Sequence, residues 1–270
     1  GNEPITWQNI IWKSRLPQAL TALVAGAGLS ISGLQMQTVF RNPLAGPSVL
    51  GISSGASMGV AFVVLLSGSL GGVALSKLGF MGEIALSIAA VIGSLSVMAL
   101  IVYVSQKVKG NVTLLIIGVM IGYVANAVIG VLKFFSVEED IRAYVIWGLG
   151  SFARVSGNQM TLFVILMTIL IPLSFLLIKT MNLMLLGDSY ARNLGLNIKR
   201  ARLLVITSAG VLTAIVTAYC GPIIFLGLAV PHLCRAIFQT SDHRILMPAV
   251  LFAGAALALI CNLIARMPGF

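Results

Sequence analysis

Long apolar runs, each near the length that crosses a bilayer, alternate along this chain with short segments rich in glycine, proline and charge. A membrane helix needs roughly 20 predominantly apolar residues. That rule predicts eight spans, over residues 16–38, 49–70, 84–104, 114–132, 160–178, 203–220, 223–237 and 245–264. The seventh is short, follows Gly221-Pro222 and contains Gly227 and Pro231, which predicts a tilted or partly broken helix packed inside protein. The pattern defines an all-α fold, a polytopic transmembrane helical bundle forming one domain over residues 1–270.

Within the spans, small residues recur at helical spacing: Gly26, Gly28 and Gly33; Gly51, Gly55 and Gly59; Gly118 and Gly122. Glycines three or four apart let helix backbones approach closely, so these faces predict helix contacts. Gly118, Gly122 and Asn126 share one face of the fourth span, and a pore lining is the other reading of that face. Between the fourth and fifth spans, residues 136–154 predict a short interfacial helix with Trp147 at headgroup level. Its triplet Glu138-Glu139-Asp140 reads as a solvated loop rather than a metal site, because adjacent carboxylates on a helix point in different directions.

Composition sharpens this picture. A hydrophobic fraction of 59%, a charged fraction of 9% and a mean hydropathy of +1.05 belong to an integral membrane protein. The net charge of +10 sits in short loops and forms no continuous stripe, which argues against nucleic acid as a partner. Alternation of the spans puts ten basic residues inside (Arg41, Lys107, Lys109, Lys179, Arg192, Lys199, Arg200, Arg202, Arg235, Arg244) and seven outside. Five of the seven acidic residues fall outside, so the bias favours that orientation. Cys220, Cys234 and Cys261 lack the paired spacing of a zinc or redox site and read as small buried hydrophobes. His232 and His243 lie near inner span ends, where capping and interface hydrogen bonds are ordinary, and Asp242 is placed to cap the eighth span. The chain carries no Gly-rich phosphate loop with its lysine and no nucleophile, base and acid set, so no catalytic or metal site is predicted.

One polar stretch stands apart, residues 187–202. Asp188 can cap a short helix, Gly195 can end it in the left-handed conformation, and Asn197 can cap a second helix bearing Lys199, Arg200 and Arg202. Two short helices on a membrane face, with Leu194, Leu196 and Ile198 as apolar contacts, would suit force transmission from a soluble subunit. An ordinary basic loop that only fixes topology fits the spacing equally well.

Several segments together resemble a known family. They are Arg15-Leu16-Pro17, Arg41-Asn42-Pro43-Leu44-Ala45-Gly46-Pro47, Leu50-Gly51-Ile52-Ser53-Ser54-Gly55-Ala56, Gly187-Asp188 with Ala191-Arg192 and Leu194-Gly195, Gly221-Pro222-Ile223, Pro231-His232-Leu233 with Arg235, and Asp242-His243-Arg244. In this order they resemble the FecCD family, permease subunits of ABC importers for iron chelates, haem and cobalamin in the bacterial inner membrane. The resemblance implies a homodimer of permeases, two ATP-binding subunits and a periplasmic substrate-binding protein. ATP and magnesium would reside on the ATPase, with no cofactor in this chain. It also implies roles: Gly187, Asp188, Ala191, Arg192, Leu194, Gly195 and Leu196 in coupling to the ATPase, and Arg15 and Arg266 in docking the binding protein. Gln18 stands where the cobalamin-carrying member has a second docking arginine. Asn111, Val112 and Thr113 match the inner gate, continuing along the path as Gly118, Gly122 and Asn126. The family pattern has about ten spans, so a span before Arg15 and one beyond Phe270 are expected to be missing. The competing class is a secondary transporter driven by an ion gradient; it usually shows ionisable residues at mid-membrane and inverted repeats, neither of which is evident here.

Overall fold

The computed structural model describes residues 8, 10–69, 80–108, 110–155 and 157–266, with side chains described for all of these but 67–69, 80, 111 and 158. Lys77, Lys109 and Glu3 of the charge count, and the side chain of Asn111, lie outside the described residues. Eleven α-helices and no strand occur among the described residues. In chain order they are α1 (Leu16–Phe40), α2 (Ile52–Ser69), α3 (Phe80–Lys107), α4 (Asn111–Phe134), α5 (Glu138–Gly148), α6 (Gly157–Phe175), α7 (Ile178–Leu185), α8 (Asp188–Asn193), α9 (Ile198–Cys220), α10 (Leu226–Phe238) and α11 (His243–Ile264).

The expected all-α bundle is present, but not as eight equal spans. Among the described residues five helices are long and apolar enough to cross a membrane, six if the bent pair α6 and α7 is taken as one. Local structure also moves or bends three of the expected spans. Pro47–Leu50 forms a tight turn closed by left-handed Gly51 (φ 72°), so α2 starts at Ile52 rather than at 49. The expected span 160–178 breaks after Phe175, and α7 leaves at 46°. The segment after Gly221-Pro222 is helical only over the thirteen residues of α10, as the Gly-Pro pair foretold.

α1 is the centre. In hydrocarbon every polar group must be satisfied within the protein, and α1 carries Ser32, Gln35, Gln37 and Thr38, all buried. Ser32 Oγ donates to the Ala209 carbonyl at 2.8 Å and lies 2.7 Å from Thr213 Oγ1, while Gln35 Nε2 donates to Ser208 Oγ at 3.0 Å, fixing α1 against α9. Glycine completes the packing: a Cβ on Gly33 would collide with the carbonyl of Gly227 on α10, and one on Gly26 with that of Gly254 on α11. Gly55 and Gly59 meet Gly93 and Ala89 in the same way across α2 and α3. The glycine faces are helix contacts, as expected.

A second, smaller apolar cluster joins α2 to α5 through Ala56, Val60, Ala61, Tyr144 and Trp147. Here two expectations are corrected. Trp147 is 1% exposed, because the small residues of α2 leave room for its ring, so it is core rather than a headgroup-level anchor. The acidic triplet is not a loop: it forms the first turn of α5, where carboxylates suit the positive helix end, and Asp140 is buried.

Candidate functional site

The polar stretch folds into a compact elbow between α7 and α9. Gly187 occupies the N-cap of α8 with φ 98° and ψ 152°, a backbone conformation favoured for glycine. The predicted capping by Asp188 is therefore corrected, since Asp188 is the first helical residue and its carboxylate points elsewhere. Asp188 Oδ1 accepts from Arg41 Nη2 at 2.6 Å, and Oδ2 lies 3.8 Å from Arg202 Nη2. Arg41 also donates to the Met184 carbonyl at 3.0 Å. One carboxylate thus ties α8 to the end of α1 and to the second turn of α9.

The exit from α8 follows the expected chemistry. Gly195 takes φ 85°, its N–H bonds to the Arg192 carbonyl at 2.9 Å, and the Leu196 N–H bonds to the Ala191 carbonyl at 3.0 Å. That pair of bonds is the Schellman closure of a helix end. Asn197 then caps α9, accepting from the Arg200 N–H at 3.1 Å. The second helix is not a short one, however: Lys199, Arg200 and Arg202 begin the 23-residue span α9, because no breaker follows them. Ala191 and Ile198 are buried and Leu196 half-buried, while Tyr190, Arg192 and Leu194 stand exposed, Tyr190 at 60% and Leu194 at 55%. Leu194 therefore faces outward rather than into the protein.

A part-buried polar chain backs the elbow. Asn182 on α7 donates to Asp242 Oδ1 at 2.7 Å and accepts from the His243 N–H at 2.9 Å. The two ring nitrogens of His243 lie 2.7 Å from Asn182 Oδ1 and 2.7 Å from Thr38 Oγ1. His243 is an internal connector with both nitrogens occupied, as its position suggested. Asp242 caps α11 through the Arg244 N–H at 2.9 Å, and that bond, with the one from Asn182, holds its carboxyl below the usual range. No cluster able to hold a metal occurs among the described residues.

The opposite end gathers Arg15 and Arg266. Burial, with Arg15 nearby, lowers the Arg266 guanidinium from its usual range, so two like charges meet there. Gln18 is buried, and its Nε2 donates to Ser14 Oγ at 3.3 Å. On α4, Val112 and Thr113 are exposed at the elbow's end of the bundle. Gly118 and Gly122 are buried where α4 meets the turn before α2: a Cβ on Gly118 would sit 2.9 Å from Leu50 Cα, and one on Gly122 3.4 Å from Ser54 Oγ. Asn126, a turn further on, is exposed and shares a shallow cavity of about 200 Å³ with both glycines and Tyr123. Sequence reasoning missed the Arg41–Asp188 pair. The signal was available, since alternation places both at inner span ends with opposite charge.

A bundle of apolar helices locked by internal hydrogen bonds, with one structured elbow and no reaction site evident among its described residues, has the make-up of a transport permease. Comparison with known proteins makes that specific: residues 3–269 match the FecCD transport family, and the chain belongs to it. It is 35% identical over 260 residues to the vitamin B12 import system permease protein BtuC of Klebsiella pneumoniae, covering 96% of this chain and 75% of that protein. It is 36% identical over 264 residues to the hemin transport system permease protein HmuU of Yersinia pestis, with the same coverage, 96% and 75%. Among solved structures, a metal-chelate type ABC transporter in an inward-facing conformation superposes with a TM-score of 0.85 at 30% identity, over 96% of this chain and 79% of that one. The chain is a multi-pass permease subunit of the ABC importer type.

Proposed function

We propose that this permease moves a large chelate, either cobalamin, haem or an iron siderophore, inward by alternating access driven by ATP hydrolysis on a partner. The elbow carries the reading. Tyr190, Arg192 and Leu194 project from a short helix whose base is fixed to α1 by Arg41–Asp188 and to α9 by the Asn197 cap. A soluble ATPase pressing on that surface would displace the central helix and its hydrogen-bonded neighbour together. The exposed flank of α4, from Val112 and Thr113 past Asn126, supplies the wall that a second copy would complete into a path, with the Asn111 backbone at its inner start. Arg15 and Arg266, held close at the other end, offer positive charge to acidic groups of a periplasmic binding protein. The relatives named for vitamin B12 and hemin import support the cargo class.

The test is ATP-dependent uptake by vesicles reconstituted with the permease, its ATPase and the binding protein. Asp188→Lys or Gly195→Val should cut uptake about tenfold, a barrier change near 1.4 kcal/mol, while the permease remains in the membrane and folded. Full uptake with both changes, or uptake driven by an ion gradient without ATP, overturns the reading.

A further inference from the structure

Away from the elbow and the α4 flank, one cavity combines charge, an orphaned carboxylate and an apolar exit. It lies at the outer end, where the first turns of α3, α5 and α6 meet the last turn of α9. Its volume is about 380 Å³, and Glu83, Asp140, Arg154, Gln159 and Tyr219 line it. Asp140 is 5% exposed, and its Oδ2 is buried with no hydrogen-bond partner; Gln159 Nε2 is likewise buried and unpartnered. Polar atoms buried without partners are uncommon in folded proteins and point to a missing ligand or water. Burial and the charge of Glu139 both raise the Asp140 carboxyl above its usual range, and a cation at Oδ2 would reverse that. Arg154 lies 5.9 Å from the centre of the Trp147 ring and feels the charge of Glu83.

A second cavity, also about 380 Å³, shares Ser87, Gln159 and Tyr219 with the first and continues between α3 and α6 past Ile88, Ile92 and Leu162. Ile84, Ile88 and Ile92 recur every four residues and so lie along one helix face. Their exposure rises inward, from 36% to 54% to 61%, so the groove opens sideways as it descends.

We propose that the paired cavity binds one outer-leaflet phospholipid with a primary-ammonium headgroup, a phosphatidylethanolamine. The ammonium pairs with Asp140, the phosphate with Arg154, and an acyl chain follows the groove past Ile88 and Leu162. Two carboxylates and a guanidinium in one cavity match a headgroup that carries both signs. An anionic headgroup would meet Asp140 and Glu83 unfavourably, and a choline headgroup brings no N–H to Oδ2. This site rests only on the chain spanning a bilayer, not on its cargo or energy source.

The test is native mass spectrometry of the purified permease, stripped of lipid by detergent exchange and offered phosphatidylethanolamine, phosphatidylcholine or phosphatidylglycerol. Wild type should retain phosphatidylethanolamine about tenfold better than the others, a ratio within reach of one charge-assisted contact. Asp140→Asn should erase the preference, and Ile88→Trp should lower retention by filling the groove. Equal retention of the three lipids by wild type overturns the site, as does an undiminished preference in Asp140→Asn. Should Asp140→Asn fail to fold, Ile88→Trp decides alone, since Ile88 is exposed, and unchanged retention there overturns it.

Discussion

α1 and α4 both cross the membrane, and the less apolar of the two is the more buried: 78% of the α1 stretch is inside the protein against 22% of α4. In water the order would be reversed. In hydrocarbon an apolar side chain gains little by leaving lipid, so helices sort by what lipid cannot satisfy, namely hydroxyls, amides and the bare backbone beside glycine. α1 presents the Ser32 and Thr38 hydroxyls, the Gln35 amide N–H, Gly26 and Gly33 to neighbours that meet them. α4 presents Met120, Tyr123 and Val124, each more than half exposed, to its surroundings.

The contrast is most sharply broken with glycine. Gly33→Leu drives a side chain into the Gly227 carbonyl and should cost on the order of 3 kcal/mol, read as loss of monodisperse protein and a lowered melting temperature. Gly130→Leu on α4, where a Cβ meets nothing within 4 Å, should leave both unchanged. Next comes the hydroxyl. Thr38→Val leaves a buried nitrogen of His243 unpaired and should cost about 2 kcal/mol in a denaturation series, whereas Thr113→Val on exposed α4 should stay within about 0.5 kcal/mol. The smallest effect belongs to Asp242. Its folded pKa lies below the ordinary 3.8, so its contribution is complete above that value and fades as pH falls toward the folded one. The melting temperature should drop below about pH 4, and Asp242→Ala should flatten that fall.

Much of the architecture was legible because the bilayer enforces it. Apolar run length located the helices, and Gly195, Asn197 and Asp242 sit where local capping chemistry puts them. What escaped depends on distant partners. The carboxylate of Asp188 turns to Arg41, 147 residues earlier, instead of capping its own helix. Trp147 is buried because α2 offers alanine and valine beneath it, which no window around residue 147 records. The break after Phe175 follows Pro172, three residues upstream, a clue that length counting passes over. The chain's own sequence marked residues 187–202 and the face of Gly118, Gly122 and Asn126, whereas Arg15, Arg266 and residues 111–113 were singled out by the family resemblance alone.

Asn182 clasps both Asp242 and His243, and His243 clasps Thr38. The bent arm beyond Phe175 is therefore riveted to α1 and α11 at one storey of the molecule. If the elbow is where a partner presses, as proposed, a push on Tyr190 or Leu194 would tip both of those pillars together, and the bundle would answer a shove from below as a single hinged plate.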